Sequence, residues 1–199
     1  MHTQRTETFQ PVTDKKLATF SRSRGHRIRT IAYWTFTVLL VWELVAGSLW
    51  NFERIEWIRL QLNHLGYPVY LAYILGVWLM GGAAAIIVPG FPRLKEWAYA
   101  GCCFHFSGAM ASHMMAGDWS PISMWLTPLM FWIFGMVSWA LSPADRRLPN
   151  AELGPEARPR AWAVSIGVFL LLFVVSYLML PWVNTAMHKR ALDLGWIAR

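Results

Sequence analysis

Residues 31–50 read IAYWTFTVLLVWELVAGSLW, a run of twenty with a single charged side chain, Glu43. A helix needs about twenty mainly apolar residues to cross the hydrocarbon core of a bilayer. This stretch is therefore predicted to be a transmembrane helix. Four later stretches of similar length and composition are predicted to be transmembrane helices for the same reason: 69–88, 97–116, 121–141 and 161–180.

The composition of the whole chain agrees with this prediction. Of its 199 residues, 56% are hydrophobic, 15% are charged and thirteen are tryptophan, whereas a soluble domain has about 25% charged residues. A soluble monomer is excluded because too little charge is left to cover its surface. We predict an all-α membrane protein: a four-helix transmembrane bundle with a fifth, C-terminal transmembrane helix.

The polar segments divide the chain further. We expect residues 1–30 to form a basic, mostly flexible cytoplasmic tail, 31–148 the bundle, 149–160 a linker, 161–181 the fifth span, ended by Pro181, and 182–199 an amphipathic C-terminal segment. Near 52–65, Ile55, Ile58, Leu62 and Leu65 recur at helical spacing, which indicates an interfacial helix. A charged loop with incidental leucines is the alternative.

The basic residues predict the orientation in the membrane. Seven of the eighteen Lys and Arg residues precede Thr30, and an N-terminus inside the cell places thirteen on the cytoplasmic side and five outside. Cytoplasmic loops carry the excess of Lys and Arg, so we expect a multi-pass protein of the cell inner membrane with its N-terminus in and its C-terminus out. Because these basic residues are concentrated directly before an apolar stretch, we expect a lipid bilayer, and not nucleic acid, to be the partner.

Glu43 is the outstanding candidate for chemistry. An ionised carboxylate at the centre of a membrane helix costs about 2.5–3.5 kcal/mol, so it should face the bundle interior and find a partner. His105 and His113 of the third stretch lie at suitable depths, and Ser107 and Ser112 are closer still in depth. We predict a contact of Glu43 with His105 or His113. This contact could form a binding site for a proton, a quinone head group or a small molecule, or it could be a hydrogen bond that only fixes helix register.

Other polar and small residues have more limited roles. Cys102 and His105 are three residues apart, but the soft ligands near them all come from one stretch, so we predict no metal site. His64 and Asp118 are polar loop candidates. Glycines let membrane helices approach closely, and we assign five of them to helix packing: Gly47, Gly76, Gly81, Gly101 and Gly108.

Several short segments together resemble a known family. They are WELVAG (42–47), HLGYP (64–68), ILGVW (74–78), VPGFPRLKEWAYAG (88–101), SGA (107–109), SH (112–113), GD (117–118), SWAL (138–141) and RR (146–147). Over about residues 29–148 the chain resembles the DoxX-like integral membrane proteins, a group common in bacteria. The resemblance implies a four-helix bundle, and it places Glu43, His113 and Asp118 at polar positions. His105 stands where an acidic residue is expected.

Three classes of function remain open. The first, which we favour, is a non-enzymatic subunit or assembly partner of a larger membrane complex, with the fifth span contacting another membrane protein. The second is a redox-linked subunit that binds a quinone or small molecule around Glu43, as the family's relatives in thiosulfate:quinone oxidoreductase imply; an enzymatic role would be of this kind. The third is a small-solute or proton carrier.

Overall fold

The computed structural model describes residues 12–143 and 159–197, with only the backbone given for 12–24. Six helices make up this part of the chain, and it contains no strand. They are α1 (Val12–Phe52), α2 (Glu56–His64), α3 (Leu71–Ile87), α4 (Pro92–Met115), α5 (Ser123–Leu141) and α6 (Pro159–Asp193).

The helix α1 lies at the centre of the molecule, in contact with α3, α5 and α6. The helix α4 packs against α3 and α5, so α1, α3, α4 and α5 form a ring of neighbouring helices, while α6 lies against α1 and α2 outside it. The α1 side chains Leu40, Val41, Leu44 and Val45 are almost completely buried and form the middle of the main apolar core. Burial of this face holds the other helices around α1.

A second apolar cluster lies at the end of the molecule that carries α2. It joins Trp57, Ile58 and Leu62 of α2 to Val183 and Ala191 of α6. This packing follows from the helical spacing of the apolar residues of α2, which gives the short helix one buried face. The helix predicted near 52–65 is thus present as α2 and lies against α6.

The turn between α3 and α4 has clear local causes. Gly90 and Phe91 have positive φ angles of 77° and 45°, and Pro92 occupies the start of α4, where a missing N–H costs nothing. The buried amine of Lys95 donates hydrogen bonds to the carbonyl oxygens of Ala85, Ile86 and Val88. It thereby satisfies carbonyl groups that the end of a helix leaves without partners.

Two helix ends differ from the sequence prediction. The helix α1 begins at Val12 rather than near residue 31, because 12–30 contains no proline that would interrupt a helix running into the span. The helix α6 continues through Pro181 to Asp193, so the prediction that Pro181 ends the fifth helix is wrong. A proline is tolerated within a membrane helix because neighbouring helices and local backbone adjustments satisfy the backbone groups that it leaves without hydrogen bonds. Residues 1–11 and 144–158, with most of the predicted linker, lie outside the described residues.

Within the part of the chain that the structure describes, three segments are long and apolar enough to cross a membrane: Gly25–Phe52, Ser123–Leu141 and Pro159–Asp193. The apolar helix α3 has 17 residues, and α4 has 24 but carries Arg93, Lys95 and Glu96 in its first turns. Together these helices identify an all-helical integral membrane protein.

Candidate functional site

Three of the predicted polar residues, His64, His113 and Asp118, meet at the end of the molecule near α2. His64 Nε2 donates to Asp118 Oδ1 at 2.7 Å, and His113 Nδ1 donates to Asp118 Oδ2 at 2.6 Å. The amide nitrogen of Gln61 donates to His113 Nε2 at 2.9 Å. We call these four residues the Asp118 cluster. It joins α2, the last turn of α4 and the loop after α4.

The local chain explains how Asp118 reaches both histidines. Gly117 adopts a φ of 84° directly after α4, a conformation that glycine reaches without strain. The backbone N–H of Asp118 then donates to the carbonyl of His113 at 3.0 Å. The turn therefore folds the carboxylate back onto the end of its own helix, where α2 supplies the second histidine.

Hydrogen bonding decides the charge of Asp118. Burial by itself would raise the pKa of this carboxyl, but the hydrogen bonds and charges of His113 and His64 outweigh it, so the pKa lies below its ordinary value of 3.8. A carboxylate that accepts two such bonds is stabilised in its charged form. Asp118 is therefore ionised at neutral pH.

Aromatic groups cover the Asp118 cluster. The ring of Trp196 stacks on His64 with centroids 4.7 Å apart and on Trp57 at 5.0 Å. On the neighbouring turn of α4, Ser112 shares a hydrogen bond of 2.9 Å with the hydroxyl of Tyr67. The segment after α6 thus lies over His64.

This arrangement favours a structural role for the cluster. His113 is 2% exposed, and both of its ring nitrogens have partners, so neither is free to act as a general base on a substrate. Among the residues that the structure describes, no group of three or more His, Cys, Asp or Glu side chains is arranged to hold a metal ion.

Glu43 lies apart from this cluster. It is half-buried on α1 and makes no hydrogen bond with any residue in the described part of the chain. Helical periodicity places it on the face of Phe36 and Gly47, which contact Phe134 of α5 and Leu79 of α3. The predicted contact with His105 or His113 is therefore not present. His113 bonds to Asp118 instead, which the turn after α4 brings within reach.

A groove of about 450 Å³ lies between α1, α3 and α4. Its wall is almost wholly apolar, and its polar side chains are His105, which is half-buried, and the buried thiol of Cys102. Trp78 and Trp97 stand at its edge with 69% and 79% of their surface exposed. The groove consequently opens toward the apolar surroundings of the helices.

The family model that describes the DoxX-like family matches residues 35–140. The chain belongs to the DoxX-like family. The match runs from within α1 to the end of α5 and contains the Asp118 cluster, Glu43 and the groove, whereas α6 lies beyond it. No curated protein and no solved structure matches the chain.

The glycines of this DoxX-like protein divide into two groups. A Cβ atom added at Gly76 would lie 3.0 Å from the ring of Phe52, so the close packing there favours glycine, and one added at Gly47 would make an ordinary van der Waals contact with Leu79 at 3.4 Å. At Gly81, Gly101 and Gly108 an added Cβ would meet nothing within 4 Å. The prediction of helix packing is wrong for these three, because no neighbouring backbone comes near them.

The remaining predicted residue, Ser107, donates to the carbonyl of Phe104 in its own helix at 3.3 Å. Sequence reasoning did not identify Gln61, Tyr67, Trp196 or the buried Lys95. The spacing of Gln61 and His64, three residues apart on α2, places them on one helix face and could have linked them. Nothing local marks Trp196, since its partners are more than 100 positions away in the sequence.

Proposed function

We propose that this DoxX-like protein binds a hydrophobic molecule with a hydrogen-bonding head group, of the quinone class, in the groove between α1, α3 and α4. The observation that carries this proposal is a single imidazole, His105, in an otherwise apolar groove that opens between two exposed tryptophans. Ligand pockets in proteins combine apolar walls with a few polar groups that set orientation.

The residues present fit such a ligand. An N–H of His105 can donate to a quinone carbonyl oxygen. The empty space beside Gly81 and Gly101 admits a flat ring, and an isoprenoid tail can leave between Trp78 and Trp97. A bound quinone would supply two-electron redox chemistry, while the residues of this chain bind it, orient its ring and keep water away. As an enzyme, the protein would be a subunit of a quinone-linked oxidoreductase.

The proposal includes a topology. We place four spans in α1, α3, α4 and α5 and a fifth in α6, in the inner membrane of a bacterium, with the N-terminus in the cytoplasm. The ring of neighbouring helices that α1, α3, α4 and α5 form and the thirteen-to-five distribution of Lys and Arg support this arrangement. The groove then opens into the bilayer, where quinones reside.

Extraction of the protein in mild detergent and measurement of co-purified quinone per protein test the proposal. We expect His105→Ala and Gly101→Leu to reduce the quinone content about tenfold or more, because loss of a buried hydrogen bond or filling of the groove removes at least about 1.4 kcal/mol of binding. The matched control is Gly108→Leu, on the same helix, also in open space and outside the groove. Equal quinone content in all variants would contradict the proposal.

Glu43→Gln separates the groove from a site around Glu43. Glu43 does not line the groove, so we expect this variant to retain quinone while His105→Ala loses it. Loss of quinone in Glu43→Gln but not in His105→Ala would instead assign the ligand to the face of α1 that carries Glu43.

A second candidate is a non-enzymatic subunit or assembly partner, which α6 favours. This helix lies outside the family match and leaves apolar side chains such as Val164, Leu171 and Leu178 58–71% exposed. Native mass spectrometry of gently extracted protein tests this role: a stable heteromeric complex supports it, and a monomer that carries quinone supports the groove. A small-solute or proton carrier is a third possibility, for which only the membrane-embedded Glu43 argues.

A further inference from the structure

A second cavity, of about 800 Å³, lies between α2 and α6. Glu53 and Arg54 from the turn before α2, together with Arg59 of α2, form one side, and Asn184 and Thr185 of α6 form the other. Leu180 and Pro181 of α6 provide an apolar part of its lining. We call this cavity the α2–α6 cleft. It is separate from the groove, with which it shares no lining residue.

Two charged side chains of the cleft have no partner among the residues that the structure describes. His188 of α6 donates from Nδ1 to Glu56 Oε2 at 2.6 Å, which joins the two walls. The guanidinium of Arg54 lies over the ring of Tyr73 at 5.1 Å. Glu53 and Arg59 make no hydrogen bond or ion pair with any residue that the structure describes, and both are exposed. The cleft therefore offers one free anion and one free cation to the same ligand.

The position of the cleft indicates where such a ligand comes from. Leu180 and Pro181 follow the most apolar stretch of α6, and the neighbouring Trp182 is 68% exposed. Exposed tryptophan at the end of an apolar stretch is typical of the level of the lipid head groups. The cleft thus opens where a lipid head group can enter while its acyl chains stay beside α6.

We propose that the α2–α6 cleft binds a phospholipid whose head group carries a phosphate and a primary ammonium, of the phosphatidylethanolamine type. Arg59 contacts the phosphate and Glu53 accepts hydrogen bonds from the ammonium. Phosphatidylcholine has no N–H group to donate to Glu53, and phosphatidylglycerol has no cation to offer it. The two arginines and two glutamates of the lining balance in charge, so an anionic lipid gains no general attraction.

Native mass spectrometry of the full-length protein in detergent, with equal amounts of the three lipids, tests this assignment. We expect phosphatidylethanolamine to be retained about three to ten times more than either competitor, the range that exposed charge-assisted contacts produce. Arg59→Gln should lower the retention of all three lipids, because each has a phosphate, and Glu53→Gln should remove the preference. Arg93→Gln, an exposed arginine at the start of α4 and outside the cleft, is the matched control and should keep it.

Equal retention of the three lipids, or loss of the preference in Arg93→Gln, would overturn the proposal. Retention of soluble phosphoethanolamine to the same extent as the lipid would overturn the assignment to a membrane lipid. His105→Ala is expected to keep the lipid preference, so failure of the quinone proposal is distinguishable from failure of this one.

Discussion

Asp118 shows how one carboxylate can hold three segments together. It accepts hydrogen bonds from His64 of α2 and His113 of α4, and its side chain is only 12% exposed. The carboxylate has two acceptor oxygens and no donor, which suits two imidazole N–H groups. An amide in its place would present an N–H to one of the two donors.

We therefore predict that Asp118→Asn lowers the free energy of unfolding by about 1–3 kcal/mol, the cost of leaving a buried donor unsatisfied. Thermal unfolding of the purified protein in detergent measures the change. Asp193→Asn, at the exposed end of α6, is the control and should be neutral within about 0.5 kcal/mol. Equal stability of the two variants would show that the cluster contributes nothing.

The pH dependence of this effect has a definite sign. The pKa of Asp118 in the folded protein is below its ordinary value of 3.8, so the stabilisation by the carboxylate is complete above pH 3.8 and is lost as the pH falls through the lower, folded-state pKa. The stability difference between the native protein and Asp118→Asn should shrink below pH 3.8. A difference that grows in acid would contradict the assignment.

At the scale of elements, α1 and α3 show why the position of a glycine matters more than its presence. The hydroxyl of Ser48 donates to the carbonyl of Gly76 at 2.7 Å, and the ring of Phe52 would lie 3.0 Å from a Cβ at Gly76. These two contacts hold the helices close together at this one level. Gly81, which lies on the same helix and borders the groove, has empty space beside it.

We predict that Gly76→Leu displaces Phe52 and lowers the free energy of unfolding by about 1–3 kcal/mol, as overpacking usually does. Gly108→Leu introduces the same side chain into open space and should leave stability unchanged or raise it by up to about 1 kcal/mol. Thermal unfolding of the two variants side by side provides the measurement. The packing assignment fails if Gly108→Leu destabilises the protein as much as Gly76→Leu.

At the scale of the whole molecule, the proposed topology places the two ends of the bundle on opposite sides of the membrane. In a background of Cys102→Ser and Cys103→Ser, we expect Glu53→Cys to react with a membrane-impermeant maleimide in intact cells. Arg93→Cys should react only after the cells are opened. The reverse pattern of labelling would invert the topology and place the Asp118 cluster on the cytoplasmic side.

Local chemistry allowed the broad architecture to be predicted. Some signals depend only on residues close together in the sequence: apolar stretches such as 31–50, the prolines and the glycine between α3 and α4, and the spacing of Ile55, Ile58 and Leu62. The all-helical fold class, the positions of the helices and the presence of the short helix α2 follow from these local patterns. The prediction at Pro181 was wrong because the effect of a proline in a helix depends on the helices packed around it. A local sequence pattern does not contain that information.

The sequence by itself determined that this is an all-helical membrane protein of the DoxX-like family with one carboxylate, Glu43, inside a span. Only the tertiary structure decided which polar groups meet: His113 with Asp118 and Gln61, Trp196 with His64, and Glu43 with no hydrogen-bond partner in the described part of the chain. Depth along a helix follows from 1.5 Å per residue. A contact also depends on the rotation of each helix and on which helices are neighbours, and packing between distant segments sets both.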